Sequence, residues 1–287
     1  MRRLALAVLL LGSTFFAVSS GYGGEKAAPI NIEYHGQSFF IVTSSKGTRL
    51  AFDPHTIPAY FDGRPQLPSV DVVCISHNHP DHIRVEVFKD PEKGKEKPKV
   101  LRGLKSASTK ADWATVNETV KDFKIRNVGV FHDDSEGLQR GKNSVFIVEV
   151  DGWKIAHLGD LGHLLTPAQL KRIGPVDVIM IPVGGIYTLN GAEAKKVVAQ
   201  LKPKEYVFPM HFGTKIFEDI LSPDEFFEDQ PARNVVRLSD SENDPAKRDN
   251  TITLNRDPNR PRPLIVQLHY FPKEAPEPKK KEEKDKK

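Results

Sequence analysis

Cysteine is nearly absent from this sequence, since Cys74 is the only one among 287 residues. A single thiol cannot form a disulfide bond within the chain, so the fold must be stabilised without one. Cys74 lies in the apolar stretch VDVVCIS, where a buried and unreactive side chain is expected. With 38% hydrophobic residues, the chain can bury a sizeable core in one large domain or two small ones.

Long apolar runs are also scarce, and the main one lies near the N-terminus, from Leu4 to Val18. Arg2 and Arg3 precede it and small residues follow it, which is typical of a signal peptide over residues 1–20. Glycine, serine and threonine interrupt the run, which is shorter than the roughly 18 to 20 apolar residues of a membrane span. We therefore expect a periplasmic or secreted protein without stable membrane insertion. An uncleaved membrane anchor is the alternative.

The body of the chain lacks an excess of charge of one sign. Residues 272–287 hold seven Lys against five Asp and Glu and almost no apolar residue, so we expect a disordered charged tail. This tail, together with Arg2 and Arg3, accounts for the formal net charge of +4. The remainder is close to neutral, which argues against a nucleic-acid partner. The sequence gives no indication of the oligomeric state.

Residues 28–271 contain short strand-like runs separated by turns, and we expect them to form one domain. Two segments, TPAQLKRI and AEAKKVVAQL, have helical patterns, and Asn190 with Glu193 resembles a capping box before the second one. Strands mixed with helices indicate sheets covered by helices, in the α/β (α+β) class. The first segment, INIEYHGQSFFIVTSSKGTRLAFDPH, predicts a meander of two β-rich runs, a turn at Lys46-Gly47 and a third run from Thr48 to Asp53. The later runs are VDVVCIS, DFKIRNVGVF, SVFIVEV, WKIAHLG, VDVIMIPV, EYVFPM, TITL and PLIVQLHYF.

The segment SHNHPDHI is the densest group of potential metal ligands, with His77, His79, Asp81 and His82 in six positions. On an extended backbone, residues at i and i+2 point the same way, so His77 and His79 can bind one ion. Pro80 ends a strand ladder and turns Asp81 and His82 toward a second position. An isolated histidine is usually a surface or hydrogen-bonded residue, but this grouping predicts two neighbouring metal positions.

Three further candidates follow apolar runs, as His77 does: His132 follows NVGVF, Asp160 follows KIAHLG, and His211 follows YVFPM. Strand ends meet at one edge of a sheet, where side chains distant in sequence can form a ligand site. Each candidate has a simpler explanation. His132 lies in a polar turn, where Asp133 or Asp134 could be the functional residue instead. Asp160 could cap the next segment, and His211 could be packed beneath the following phenylalanine.

Several of these motifs resemble those of a known family. HNHPDH resembles the H-x-H-x-D-H signature of the metallo-β-lactamase fold, and HLGDLGH resembles its later Gly-Asp motif. FPMHFG is similar to an element of the subgroup of ascorbate-6-phosphate lactonase-like and N-acyl-phosphatidylethanolamine phospholipase D-like hydrolases. The resemblance extends from Ile30 to Gly213 and implies a four-layer αββα sandwich. Many relatives have Gly-His-Ser-x-Phe early in the chain, whereas HGQSFF here has Gln37 in place of the histidine.

The resemblance also implies roles for individual residues. Asp53 would orient a ligand imidazole through its carboxylate. Seven side chains would hold two divalent ions, with His77, His79 and His132 on the first, Asp81, His82 and His211 on the second, and Asp160 bridging them.

Imidazole nitrogens with carboxylate oxygens favour Zn²⁺, with Mn²⁺ or Fe²⁺ as alternatives. Two such ions can share a water and lower its pKa to about 7, so that hydroxide serves as the nucleophile. Asp81 could accept the proton of the attacking water. His163 could protonate the leaving group, although a surface histidine is the commoner role, and Tyr187 could reach the pocket or simply pack on the next helix.

These expectations describe an exported metal-dependent hydrolase of a small-molecule or lipid-like substrate. The bond is ester-like, with a phosphodiester first and a lactone second, whereas the motif order disfavours β-lactams. A non-catalytic metal-containing binding protein is the rival from another class, and the number of bound ions would separate the two.

Overall fold

The computed structural model describes residues 27–61, 67–88, 97–108, 111–215, 217–238 and 250–269. The predicted signal peptide and the charged tail lie outside these residues. No helix in the described part of the chain has the length and apolar character that crossing a membrane requires.

The described residues form fourteen strands that are arranged in two sheets. In chain order the strands are β1 Ile30–Tyr34, β2 Phe40–Thr43, β3 Arg49–Phe52, β4 Val72–Ile75, β5 Lys99–Arg102, β6 Asn117–Val120, β7 Phe123–Phe131, β8 Lys142–Val150, β9 Trp153–His157, β10 Val178–Pro182, β11 Tyr206–Met210, β12 Val235–Arg237, β13 Thr251–Leu254 and β14 Leu264–Gln267. The first sheet has the order β13-β1-β2-β3-β4-β5, and the second has the order β12-β14-β11-β10-β9-β8-β7-β6.

Both sheets combine antiparallel and parallel pairs. Strands β1, β2 and β3 form the expected antiparallel meander, and β3, β4 and β5 continue it as parallel neighbours. In the second sheet β9, β10 and β11 are parallel. Parallel neighbours end at the same edge, so the residues that follow β9 and β11 lie on one side of this sheet.

The main core lies between the two sheets, and β2 shows how the alternation of a strand builds it. Phe40 and Val42 belong to the main core, whereas Phe39 and Ile41 belong to a smaller cluster with Phe88. Successive side chains of a strand point to opposite faces, so β2 is covered on both sides. Cys74 is fully buried in the main core, as expected.

Few helices cover the sheets. The α-helices are α1 Pro58–Phe61, α2 Pro167–Ile173, α3 Gly191–Leu201 and α4 Asp224–Phe227. The predicted capping box of Asn190 and Glu193 is present at the start of α3. Helix α2 packs against β7, whereas the outer cluster of the first sheet contains Phe88 from a single 3-10 turn at Val85–Phe88. The predicted two-sheet sandwich is therefore confirmed, with a thin helical layer over the first sheet.

Candidate metal centre

The predicted ligands meet at one edge of the sandwich, where strands of both sheets end. The segment from His77 to His82 follows β4 of the first sheet. In the second sheet, His132 directly follows β7, Asp160 lies three residues beyond β9, and His211 directly follows β11. The site is therefore built from both sheets, and strand connectivity brings these distant residues together.

The Asp160 carboxylate lies at the centre of this group. Its Oδ2 atom is 3.2 Å from His82 Nε2, 3.2 Å from His132 Nε2 and 3.3 Å from His211 Nε2. His77 Nε2 is slightly farther away, at 3.7 Å. Asp160 is 2% exposed, so its charge is shielded from water and acts mainly on these imidazoles.

Several of these imidazole nitrogens have no hydrogen-bond partner. His77 Nε2, His82 Nε2 and both ring nitrogens of His132 are buried without one among the described residues. Ligands around one tetrahedral ion at about 2.0 to 2.1 Å are roughly 3.3 Å apart, which is close to the spacing around Asp160 Oδ2. The donor set thus fits metal ions better than a network of hydrogen bonds.

The potential ligand atoms fall into groups whose members lie within 4.8 Å of one another. One group is His77, His79, His132 and Asp160, and another is Asp81, His82 and His211. These groups match the two ligand sets that the resemblance implies. Asp160 Oδ2 also lies within 3.3 Å of Nε2 of His82 and His211 in the second group, so it is close to ligands of both groups.

Without cations, the two groups have opposite protonation tendencies. Burial, together with the nearby His132, lowers the pKa of His79 to about 4. Burial also lowers the pKa of His77 well below its usual value, with His82 adding to the effect. His77 and His79 are therefore neutral at pH 7, as metal binding requires.

In the second group, the nearby carboxylates affect the histidine pKa values more than burial does. Burial lowers the pKa of His82, but Asp160, Asp81 and Asp53 outweigh burial and raise it well above 6.5. His211 behaves in the same way, because Asp160 and Asp81 offset its burial and raise its pKa. Burial raises the pKa of Asp160, yet the charges of His211 and His82 hold it well below its usual value. Ions entering this group must therefore displace protons.

A second carboxylate, Asp53, orients ligands of both groups. Asp53 Oδ2 is 3.0 Å from His82 Nδ1, and it accepts a hydrogen bond from Ser76 Oγ at 2.6 Å. Ser76 N donates to Asp53 Oδ1 at 2.7 Å, and Ser76 Oγ lies 2.9 Å from His77 Nδ1. These contacts place the protons on Nδ1 and leave Nε2 of both histidines free to bind an ion. The geometry thus agrees with the expected orienting role of Asp53.

Close backbone contacts fix the loops that carry the ligands. A Cβ atom on Gly184 would lie 2.2 Å from the carbonyl oxygen of His211, and one on Gly162 would lie 2.3 Å from that of His132. Only glycine allows such an approach. His211 and Asp53 have positive φ angles of 48° and 43°, which are uncommon for residues other than glycine. Strained backbone of this kind is often found at functional sites.

The ligands open into a cleft of about 360 Å³. Its polar side is formed by Asp81 and the imidazoles, and its other walls come from loops of both sheets. Several of its residues were not singled out in the sequence. The described residues that line it are Gln37, His79, Pro80, Asp81, His132, Arg140, Asp160, Tyr187, His211, Phe217 and Ile220.

Comparison with known proteins identifies the family. The family model of the β-lactamase superfamily domain matches residues 31–211, which is more than half of the chain. The chain belongs to the metallo-β-lactamase superfamily. Within it, a UPF0173 metal-dependent hydrolase of Thermococcus onnurineus is 30% identical over 200 residues, covering 64% of this chain and 85% of the relative. A homologue from Thermococcus kodakarensis with the same family name is 29% identical over 199 residues, with the same coverage.

Solved structures of the superfamily agree with the fold. A candidate Zn-dependent hydrolase from Thermotoga maritima is 29% identical, has a TM-score of 0.57, and is matched over 84% of this chain and 98% of its own. A candidate metal-dependent hydrolase from Parabacteroides distasonis, at 20% identity, has a TM-score of 0.52 over 70% of this chain and 89% of its own. The second likeness shows the metallo-β-lactamase fold alone.

In this metallo-β-lactamase superfamily member, His163 does not reach the cleft. Phe131 N donates a hydrogen bond to His163 Nε2 at 3.1 Å, and His163 Nδ1 lies 2.7 Å from the carbonyl oxygen of Leu164. Both ring nitrogens are therefore engaged by backbone groups. These contacts favour a structural role for His163, and its catalytic role stays a prediction, whereas Tyr187 does line the cleft.

Gln37 occupies the position where the resemblance implies a histidine, and it lines the cleft. Its Nε2 donates a hydrogen bond to the Tyr60 hydroxyl at 2.7 Å, whereas its Oε1 is buried without a partner among the described residues. Ser38, the next residue, donates to Asp160 Oδ1 at 3.3 Å. Ser38 and Ser76 donate hydrogen bonds to Asp160 and Asp53, respectively. The sequence marked these two serines only by their positions in HGQSFF and SHNHPDHI.

Proposed function

We propose that this metal-dependent hydrolase binds two divalent ions, preferably Zn²⁺, and cleaves a phosphodiester. Membership of the UPF0173 metal-dependent hydrolase family supports hydrolysis. The observation that carries the proposal of two ions is the position of Asp160. Its Oδ2 lies within 3.3 Å of Nε2 of His82, His132 and His211, so one carboxylate oxygen joins two ligand groups. A carboxylate shared by two ligand groups would be suited to holding two ions.

When bound, the ions would activate a water at neutral pH and neutralise negative charge on the attacked group. The protein residues provide the remaining parts. Asp81 is 35% exposed in its side chain and lines the cleft, so it is the carboxylate we assign to accept the proton of the attacking water. Asp53 and Ser38 keep His82 and Asp160 in place during the reaction.

A phosphodiester fits this arrangement because its phosphoryl group is anionic and has two free oxygens. The His77 and His82 groups would hold cations that neutralise the charge of such a group. The cleft is open enough for a small ester or for the headgroup of a lipid-like substrate, with a volume of about 360 Å³.

The first test compares three substrates with the Zn²⁺-loaded protein, namely bis-p-nitrophenyl phosphate, an acyl-homoserine lactone and nitrocefin. We expect hydrolysis of the phosphodiester at the highest kcat/KM. Preferred hydrolysis of the lactone or nitrocefin would reject the phosphodiester assignment. Absence of turnover on all three, with one bound ion or none, would favour a binding protein.

The second test measures metal content by mass spectrometry in variants. Asp160→Asn and His79→Ala should each lower both the bound metal and the turnover, because each removes a ligand. His163→Gln is the matched control, since this histidine contacts only backbone groups and Phe131 in the described structure. Two retained ions and normal turnover in Asp160→Asn would contradict the proposal. Loss of turnover in His163→Gln at full metal content would support its proton-donor role.

We also propose that the protein is exported. The support is the charged, apolar and small-residue order within residues 1–20. Expression of the full chain in a Gram-negative host, followed by N-terminal sequencing of the periplasmic protein, tests this. A mature chain that begins near residue 21 is expected, and an intact Met1 in the cytoplasmic fraction would refute export.

A further inference from the structure

We propose that Arg140 is a specificity-determining residue that binds an anionic oxyacid group, a carboxylate or a phosphate, on the substrate at a distance from the bond that is cleaved. The inference rests on the proposed function in one respect, namely that the substrate occupies the cleft beside the metal ligands. It extends that function by naming a second chemical group of the substrate.

The loop that carries Arg140 is held in shape by the Asp133 carboxylate. Asp133 Oδ1 accepts hydrogen bonds from the backbone N–H groups of Ser135 and Gly137, both at 2.9 Å. Its Oδ2 accepts from Gln139 N at 3.1 Å and from Arg140 N at 2.7 Å. Asp133 is 2% exposed, and four backbone donors satisfy its carboxylate. The loop therefore presents Arg140 from a fixed backbone position.

The guanidinium of Arg140 contacts the loop after β10. Its Nη2 donates to the carbonyl oxygen of Ile186 at 2.9 Å, and its guanidinium lies 5.5 Å from the centre of the Tyr187 ring. Ile186 has a φ angle of 54°, which is rare for a β-branched residue. This strained conformation places the carbonyl against the guanidinium, as expected where backbone strain serves a site.

Arg140 is left without a carboxylate partner. An arginine has five N–H donors, and the Ile186 carbonyl uses one of them. No ion pair to Arg140 occurs among the described residues, although Arg140 lies in the same cleft as Asp81. Among the described residues that line the cleft, it is also the only lysine or arginine. A guanidinium without a carboxylate partner is suited to a carboxylate or a phosphate, which it can bind through two parallel hydrogen bonds.

The apolar residues of the cleft indicate what joins the two polar ends of the substrate. Phe217 and Ile220 line the cleft together with the ring of Tyr187. An extended polar linker would lose hydrogen bonds to water against such walls, whereas an aliphatic linker would gain from burial. The expected substrate therefore has a hydrolysable group at the metal ligands, a short apolar segment, and a terminal anion at Arg140.

The closing experiment measures binding rather than turnover. Three probes carry one carboxylate for the metal centre and differ at the far end, namely butyrate, glutarate and 4-phosphonobutyrate. Calorimetry with the Zn²⁺-loaded full chain should show that glutarate or 4-phosphonobutyrate binds at least tenfold more tightly than butyrate. The tighter of the two identifies the terminal anion as a carboxylate or a phosphate.

Variants assign this selectivity to Arg140. Arg140→Gln should reduce the ratio of dianion to butyrate affinity by about tenfold to a hundredfold, the usual size of a charged hydrogen-bond contribution. Arg140→Lys should retain part of it, because the charge remains without the planar donor pair. Arg172→Gln, on the exposed surface of α2, is the matched control and should retain the wild-type ratio. An unchanged ratio in Arg140→Gln, or a wild-type ratio near one, overturns the inference.

Failure of this inference and failure of the proposed function have different signatures. If the protein hydrolyses the phosphodiester but its preference for dianions does not depend on Arg140, only the proposed anion site is refuted. If dianion binding depends on Arg140 but no panel substrate is hydrolysed, only the phosphodiesterase proposal is refuted.

Discussion

Replacing Asp53 with Asn tests how far one buried carboxylate controls the metal centre. The substitution preserves size and burial, but the Asn side chain has only one acceptor oxygen. If that oxygen keeps the bond to Ser76 N, the amide NH₂ faces His82 Nδ1 and Ser76 Oγ, which are 3.0 and 2.6 Å from Asp53 Oδ2. His82 then gains by moving its proton to Nε2, which removes the lone pair that an ion needs.

The size of the effect follows from the bonds that are lost. A hydrogen bond to a charged group contributes about 1.5 to 3 kcal/mol, and loss of an orienting partner typically lowers metal affinity 10- to 100-fold, or about 1.4 to 2.8 kcal/mol. We therefore expect Asp53→Asn to weaken the ion in the His82 group by 10- to 100-fold. The ion in the His77 group should weaken less, because only Ser76 connects it to Asp53.

The assay is competition of the metal-free protein against a chelating dye, with Zn²⁺ bound per chain measured by mass spectrometry. Ser76→Ala is the matched control, because it removes the hydroxyl beside His77 Nδ1 while leaving the His82 contact with Asp53 intact. It should weaken the ion of the His77 group instead. The reasoning would be refuted if folded Asp53→Asn bound both ions with wild-type affinity. It would also be refuted if Asp53→Asn weakened mainly the ion of the His77 group and Ser76→Ala mainly the ion of the His82 group.

The metal-free protein should lose stability as the pH rises. The folded-state pKa of His82 is raised above 6.5, so its contribution is complete below about pH 6.5 and is lost as the pH passes through the raised pKa. Urea midpoints of chelator-treated protein should fall between pH 7 and 9, and Zn²⁺ should oppose the fall; a flat profile would contradict the assigned charges. Gly184→Ala should cost about 1 to 3 kcal/mol of unfolding free energy and lower metal content, because its Cβ would lie 2.2 Å from the His211 carbonyl. Unchanged urea midpoints and two retained ions would show that this loop can move.

The strands that sequence reasoning identified were those with strong apolar patterns. The long runs of β7 and β8 and the fully buried β10 and β11 are examples. Strands β5, β6 and β12 were missed because they are short and largely exposed or half-buried, so they lack a clear apolar alternation. Their structure depends on pairing with neighbours, such as β5 with β4 and β6 with β7. Local sequence carries little of that information.

The candidate site was predictable to a similar extent. The structure brings His132, Asp160 and His211 to the 77–82 segment because each follows a strand that ends at the same edge. Binding of metal by these residues stays a prediction. Arg140 gave no signal, because its position depends on the Asp133 hydrogen bonds within an irregular loop. The spacing of residues along the sequence also gave no indication of the backbone contacts of His163.

The loop that follows β7 has His132 at one end and Arg140 near the other, and the carboxylate of Asp133, the residue after His132, accepts a hydrogen bond from Arg140 N. The loop after β10 is divided similarly, since Gly184 contacts the His211 backbone while Ile186 and Tyr187 contact Arg140. In each of these two loops, the residues beside the metal ligands are therefore different from the residues proposed to bind the anionic group of the substrate. Substitutions at the outer stretches can redirect the protein to new compounds while its hydrolytic machinery is inherited intact.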